Sequence, residues 1–431
     1  MEKIGTEGRK KIILFDTSLR DGHQCPWAAI EKDKDYFNVV RGLDSIGFDI
    51  CEVGFPSSSS HEASRVNRVA QMVRDGEIST IVWGLTQMVD FQVDATLKAL
   101  EPAGKIWKGF FHIYFPVDPE LRQASIGNKV SDEEALKNVA RFSRMAKDQG
   151  LIVQFSPEGY SKVGSNFNFC TELLIAAAEN GTTYFNMPDT IGWEDPDSNE
   201  KEYYVNTILR HKAILDENFP RNNFIWSVHN HNDLGNAVQN SINGVKPETG
   251  ITKIEWTINW IGERAGNADL NQIITRMKTT LKNMFDIDHI DAIKIDEVSQ
   301  LVASLMLQVQ PNYPIVGRNA MRHTSGWHTN AMIKNPTVYQ PFEPSLVWGS
   351  ISLVYGPNSW GNLAVEIIEK NGFIAPKEKD EKRKLDEYLK AQMQDTGRYK
   401  WVTDEELLEL YFEYMFPVKI ESYDSRKEWD T

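Results

Sequence analysis

"NFIWSVHNHNDLGN", residues 223–236, changes character half-way along. The first half alternates apolar side chains like a buried strand, and histidines, asparagines and an aspartate crowd the second. Along a strand, residues i and i+2 point to the same side, so His229 and His231 can converge on one point. That is one way to hold a metal ion. A lone His-x-His reads equally well as a polar loop after a strand. What matters is whether other strands in the chain also stop in chemistry-bearing residues.

They do. Apolar, β-rich runs recur as "KIILFD" (11–16), "FDICEVGF" (48–55), "STIVWGL" (79–85) and "GFFHIYF" (109–115). Then come "LIVQFSP" (151–157), "TTYFNMP" (182–188), "NFIWSVH" (223–229) and "KIEWTIN" (253–259). Their spacing, roughly 28 to 42 residues, is that of a strand and helix unit. The stretches between them carry helix signals. In "SDEEALKNVARFSRMAKDQG", Ser131 is an N-cap, Glu134 the capping-box acid, and Gly150 the stop. Eight alternations predict an α/β fold, a (β/α)8 barrel, over residues 1–285. An open doubly wound sheet is the alternative, but the early glycine-rich phosphate loop it calls for is missing. In a barrel, chemistry gathers beyond the strand ends on one face. "DTSLRDGHQ", "GFPSSSSHE", "SPEGY", "MPDTIGW", "HNHND" and "GERAGNADL" all sit there.

Beyond residue 285 the pattern becomes mainly helical, and residues 286–431 are expected to form a C-terminal subdomain extension. "DAIKIDEVSQLVASLMLQVQ" reads as a helix, and residues 311–336 as a long irregular segment. The charged stretches "KEKDEKRKLDEYLKAQMQ" and "TDEELLELYFEYMF" read as solvated helices.

The bulk properties narrow the function. With 41% hydrophobic residues, 12 Trp, 20 Phe and 14 Tyr in 431 residues, the chain has material for a large core. A formal net charge of −14 argues against general binding to nucleic acid or anionic membranes. Three cysteines without a pairing pattern fit a reducing compartment. The N-terminal "MEKIGTEGRKK" lacks the apolar core of a signal peptide. A cytoplasmic location is expected.

Asp21 in "LRDGHQ" ends the first unit, and Asn267 in "GERAGNADL" ends the eighth. Either can meet His229 and His231 across a barrel mouth. A carboxylate, two imidazoles and an amide oxygen suit Mg2+, Mn2+ or Zn2+ with positions open to a substrate's oxygens. Arg20 is placed to act as a fixed cation for a developing oxyanion.

"FDTSLRDGHQ", "EVGFPSSS", "FSPEG", "NMPDTIG", "HNHNDLGNAVQNS" and "TINWIGERAGNADL" resemble, in order, the motifs of the α-isopropylmalate synthase branch of the DRE-TIM metallolyases, and "HTSGWHTNAMIKN" extends the likeness. The resemblance implies an acyltransferase that joins acetyl-CoA to a 2-oxo acid with a divalent metal held by Asp21, His229, His231 and Asn267. It assigns Arg20 to polarising the keto group, Thr190 to the substrate carboxylate and His112 to the substrate pocket. Glu158 and the subdomain histidine, His328, are implicated in enolising acetyl-CoA; which takes the proton stays open, and Glu158 as an orienter is the alternative. Gln24 and Glu263 are expected behind the ligands. The apolar "VWGLTQ" and "FFHIYF" favour 2-oxoisovalerate as acceptor and leucine biosynthesis as the setting, with pyruvate (citramalate) or 2-oxoglutarate (homocitrate) as alternatives. A catalytically silent barrel used as a binding module is the other class. The family further implies a homodimer, and the short tail is expected to carry no leucine-binding regulatory domain. Three places depart from the family's pattern: His23 after the Arg-Asp-Gly, Trp260 within "TINWIGER", and the loosely matching "YGPNSWGN".

Overall fold

The computed structural model describes residues 8–127, 129–198, 203–347, 351–395 and 401–417. The N-terminal "MEKIGTEGRKK" lies mostly outside them. All eight apolar runs become strands: β1 Ile13–Asp16, β2 Ile50–Glu52, β3 Ile81–Gln87, β4 Gly109–Pro116, β5 Ile152–Glu158, β6 Thr182–Asp189, β7 Ile225–Asn230 and β8 Lys253–Trp256. They are parallel and close in sequence order, β8 pairing back onto β1 with Phe15 opposite Glu255. The (β/α)8 barrel expected from the spacing is the fold.

Helices α1 Asp33–Ile46, α2 Ser60–Arg74, α3 Asp90–Gly104, α4 Pro119–Ser125, α5 Asp132–Asp148, α6 Phe167–Glu179, α7 Tyr204–Asn218, α8 Ala237–Gly244 and α9 Leu270–Lys278 form the surrounding layer. α5 begins where its signals place it: the Ser131 hydroxyl accepts from the Glu134 amide at 3.2 Å, and Gly150 comes after it at φ 80°. Alternate strand residues face the barrel axis. The inward set forms two strata. Phe15, Ile50, Trp83 and Phe110, with Ile13, Ile81, Ile152 and Tyr184 against them, make an apolar floor. Trp83 stacks on Phe110 at 4.2 Å and meets Phe15 edge-on at 4.7 Å. Two residues further along, the inward side chains on most of the strands turn polar, as at Glu52, His112, Gln154 and Asn186.

The chain divides into two compact units, and the division corrects the expected boundary at 285. The first unit runs to Gln310, and the second holds most of the residues from Pro311 onward. The shift has a packing cause. Helix α10, Ala292–Leu305, lies on the barrel: Val298 packs against Gly42 of α1, and the Ser299 carbonyl accepts from Asn259 at 2.9 Å. Residues Lys10–Lys11 also pair with Phe285–Asp286, tying that end to the barrel's start.

The second unit has its own core of Tyr355, Leu363, Ile368, Leu385, Leu389 and Leu407, built on α12 Gly361–Lys370, α13 Lys379–Asp395 and α14 Asp404–Met415. The segment expected to be irregular contains α11, Gly326–Lys334, and a short strand pairing Arg322–His323 with Ser352–Leu353. Histidine, threonine and tryptophan at its start hid the helix from propensity alone. Among the described residues, no helix is long and apolar enough to cross a membrane.

Trp83 is fully buried at the centre of the floor. Trp83→Ala is expected to cost about 3–5 kcal/mol of stability, measured as a fall in the urea midpoint, because the surrounding rings cannot close the cavity.

Candidate active site

The polar strata converge at the C-terminal ends of the strands. His229 faces inward one residue before the end of β7, and His231 comes two residues later, so the strand period delivers both rings to one place. Asp21 comes from the turn after β1. One ligand atom from each of Asp21, His229 and His231 lies within 4.8 Å of the others, and all three residues are buried. The edges of the triangle are 3.3 Å from His229 Nε2 to Asp21 Oδ2, 3.4 Å between the two Nε2 atoms, and 3.9 Å from His231 Nε2 to Asp21. Ligands at right angles around an ion with bonds of about 2.1 Å stand roughly 3 Å apart, so this is the spacing of a metal face.

Asn267 closes the group. Its amide nitrogen donates to Asp21 Oδ1 at 3.1 Å and to the Ile261 carbonyl at 3.0 Å, while its buried Oδ1 has no hydrogen-bond partner. Two glycines make this approach possible. A Cβ on Gly262 would stand 2.2 Å from Asn267 Nδ2, and one on Gly266 would stand 1.8 Å from the Trp260 carbonyl.

Burial and charge set the protonation. Burial alone would raise Asp21, but Arg20 and the two histidines hold its carboxyl well below the ordinary range. His231 is pushed down to about 4 by burial. Burial lowers His229 as well, yet Asp21 and Glu255 outweigh it and raise the ring to about 9. The cluster therefore wants one positive charge among its donors, and a proton or a metal ion can supply it. A carboxylate, two imidazole nitrogens and an unpartnered amide oxygen fit a divalent cation.

Most of the residues singled out from the sequence line one cavity of about 140 Å3: Arg20, Asp21, Gln24, His112, Glu158, Thr190, His229 and His231. Phe55, Leu85 and Pro188 give it an apolar side. Arg20 is clamped by Glu52 through Nε at 2.5 Å and by Asp21 through Nη1 at 2.8 Å. His112 has both nitrogens engaged, Nδ1 with Glu52 at 2.8 Å and Nε2 with Ser156 at 2.7 Å. The Thr190 hydroxyl accepts from the Gly159 amide at 2.9 Å, joining the loop after β6 to the one after β5. Glu158 is raised by burial, with Arg20 opposing and Glu263 adding to the rise.

Two expectations need correcting. Glu263 is exposed and stands 3.8 Å from Arg264, outside the ligand group; its turn carries it to the rim. Gln24 borders the cavity but is itself exposed, on the short helix Gly22–Gln24, so it edges the mouth instead of backing the ligands. The place assigned to Glu263 belongs to Glu255, whose Oε2 lies 3.2 Å from His229 Nδ1. Glu255, Glu52, Gln154, Asn186 and Lys253 were all missed. Their signal was a charge or amide at an inward position of an otherwise apolar strand. His328 lies in the second unit, on α11, with its ring stacked 4.0 Å from Tyr339.

The HMGL-like family profile matches residues 11–302. The chain belongs to the HMGL-like family. Among curated relatives, the 2-isopropylmalate synthase of Polynucleobacter asymbioticus is 34% identical over 374 residues, 86% of this chain and 68% of that one. Those of Aromatoleum aromaticum and Cupriavidus necator are 31% and 33% identical, covering 85% and 84% of this chain and 68% and 67% of their own lengths. Among solved structures, the HMG-CoA lyase of Bacillus subtilis superposes with a TM-score of 0.55 at 16% identity over 70% of this chain and 95% of that one, and so shares the fold. Likeness of sequence thus leads to synthases, and likeness of shape shows the barrel fold alone.

Asp21→Asn keeps the size of the group but removes its charge. It is expected to weaken Mn2+ binding by at least about 100-fold in a calorimetric titration while leaving the circular dichroism spectrum unchanged.

Proposed function

We propose that this chain condenses acetyl-CoA with 2-oxoisovalerate to give 2-isopropylmalate and CoA, the entry step of leucine biosynthesis. One observation carries the reading: the Asp21, His229 and His231 cluster shares a cavity with Arg20, Glu158 and an apolar wall of Phe55, Leu85 and Pro188. A metal ion held by Asp21, His229, His231 and Asn267 would supply Lewis acidity to a 2-oxo acid's oxygens. The 2-isopropylmalate synthases among the curated relatives support the choice of reaction.

The chain's own residues supply the rest. Arg20, held by Glu52 and Asp21, lines the cavity as a fixed cation for the keto oxygen. Thr190 addresses the carboxylate. Asn186 and Ser156 set the polar side of the pocket, leaving the isopropyl group to Leu85 and Pro188. Among the described residues lining this cavity, Arg20 is the only lysine or arginine, which disfavours a second substrate carboxylate.

A second cavity of about 300 Å3 lies between the ends of β3 and β4 and helix α4, lined by Val89, Phe115, Leu121, Ile126 and Val130 among others. It shares Tyr114 and Glu158 with the first. Its apolar lining suits the pantetheine arm, which puts the thioester methyl beside Glu158. The Glu158 carboxylate then takes a methyl proton, and the enolate carbon forms the new bond to the keto carbon. The keto oxygen becomes an alkoxide beside Arg20 and takes up the proton that Glu158 abstracted. Water cleaves the thioester and releases CoA. Tyr114, raised to about 12 chiefly by burial, keeps its proton next to Glu158 throughout.

The same reading makes the enzyme a cytoplasmic homodimer with small-molecule partners and gives His328 a share in the chemistry.

The decisive assay monitors free thiol release from acetyl-CoA with 2-oxoisovalerate, pyruvate, 2-oxobutyrate and 2-oxoglutarate, with and without a chelator. Highest kcat/KM for 2-oxoisovalerate, lost on chelation, is the expected result. Preference for pyruvate or 2-oxoglutarate would reassign the acceptor, and no turnover would leave a binding barrel. Glu158→Gln is expected to lower kcat by about 10²–10⁴-fold. Because Glu158 must be ionised to act and burial raises it, the acid limb of kcat/KM should lie above the ordinary glutamate range. Leu121→Asp should raise KM for acetyl-CoA by about tenfold and leave that for the 2-oxo acid unchanged, since a charge in an apolar seat costs at least the loss of that contact.

A further inference from the structure

Lys253 opens β8 with its side chain inside the barrel and no solvent exposure. A dry ammonium is costly, and here an apolar residue would simply continue the floor. Its Nζ lies 3.8 Å from the Phe15 ring and 4.9 Å from that of Trp83. Above, it forms a tight ion pair with Glu255 Oε1 and donates to Gln154 Oε1 at 2.8 Å and to Ser227 at 3.4 Å.

Glu255 is divided by these contacts. One oxygen, Oε1, is held by Lys253 and by Gln154 Nε2 at 3.1 Å. The other faces His229 Nδ1 at 3.2 Å and accepts from Asn186 at 3.2 Å. A histidine whose Nδ1 is turned to a carboxylate presents Nε2 to whatever lies on its far side. On that far side are Asp21 and His231.

We propose that Lys253 is a positioning residue for the metal centre: by anchoring Glu255 it holds the His229 ring in place and so sets the affinity for a divalent cation. The proposal rests on the reading of Asp21, His229, His231 and Asn267 as a metal site. It explains why a charge is kept at the boundary between the apolar floor and the polar mouth, where packing alone would favour its removal.

The test uses the full chain, stripped of metal, with Mn2+ as probe and free Mn2+ measured by electron paramagnetic resonance. Lys253→Met should weaken Mn2+ binding by about tenfold or more, within the range set by groups behind a ligand. Glu255→Gln should weaken it at least as much. Because Lys253 acts through Glu255, the double variant should bind no more weakly than Glu255→Gln alone. Should Lys253→Met fail to fold, Lys253→Gln keeps a polar donor without the charge and should show the same loss in smaller degree. Binding within twofold of the parent in a folded Lys253 variant, or losses that add in the double variant, would overturn the proposal. A parent chain that takes up no Mn2+ overturns the metal-site reading and this proposal together, whereas parent binding with unaffected variants removes only the role of Lys253.

Discussion

Two buried carboxylates govern the interior of this barrel. Glu52 ends β2 and Glu255 lies on β8, the strands flanking β1, and neither has any exposure. Carboxylates in so dry a place persist only with cations beside them. Arg20 answers Glu52, which also shares a hydrogen bond with His112, while Lys253 and His229 answer Glu255. Each cation is thereby fixed, and each fixed cation reaches the mouth or supports a group that does. The order at the active site is thus a by-product of neutralising charge below it. Asp21, Glu52 and Glu255 carry three negative charges against the two permanent positive ones of Arg20 and Lys253. A divalent ion together with one substrate carboxylate brings that group to neutrality, which favours loading both.

The fold was legible because its signal is repeated. Each apolar run is short and weak alone, yet eight at the same spacing admit few architectures. The ligands were legible for a different reason: His229 and His231 obey the two-residue period of a strand, and Asp21 and Asn267 come after strands that close beside it. Glu52, Lys253 and Glu255 were not, because a charged residue in a strand ordinarily faces water. Only closure of the barrel shows that residues in step with Phe15 and Ile50 point to the axis. Glu263 misled in the opposite sense, since its place in a turn gives no period from which to infer direction. The boundary at 285 failed because α10 continues the barrel's packing without belonging to its repeat.

Local strain is concentrated beside Asn267. Asn259, Trp260 and Arg264 all have positive φ, at 53°, 50° and 55°, a region that costs L-residues about 1 kcal/mol or more each. The turn tolerates this because buried partners determine it from both sides: Asn259 is tied to Ser299 and Asn271, and Gly266 fits under the Trp260 carbonyl. The result is a stiff loop that holds an amide against Asp21, on a segment where mobility would loosen the ligand group.

The apolar floor has a further consequence. Phe15, Trp83, Phe110 and Tyr184 fill the barrel from wall to wall beneath the polar layer. The pocket is a blind alley, entered and left through the same opening. A guest seated against Arg20 and the histidines and one seated beside Leu121 both touch Tyr114 and Glu158, which line the two cavities alike. With the barrel closed below, whatever reaches the histidines comes and goes on the C-terminal side of the strands.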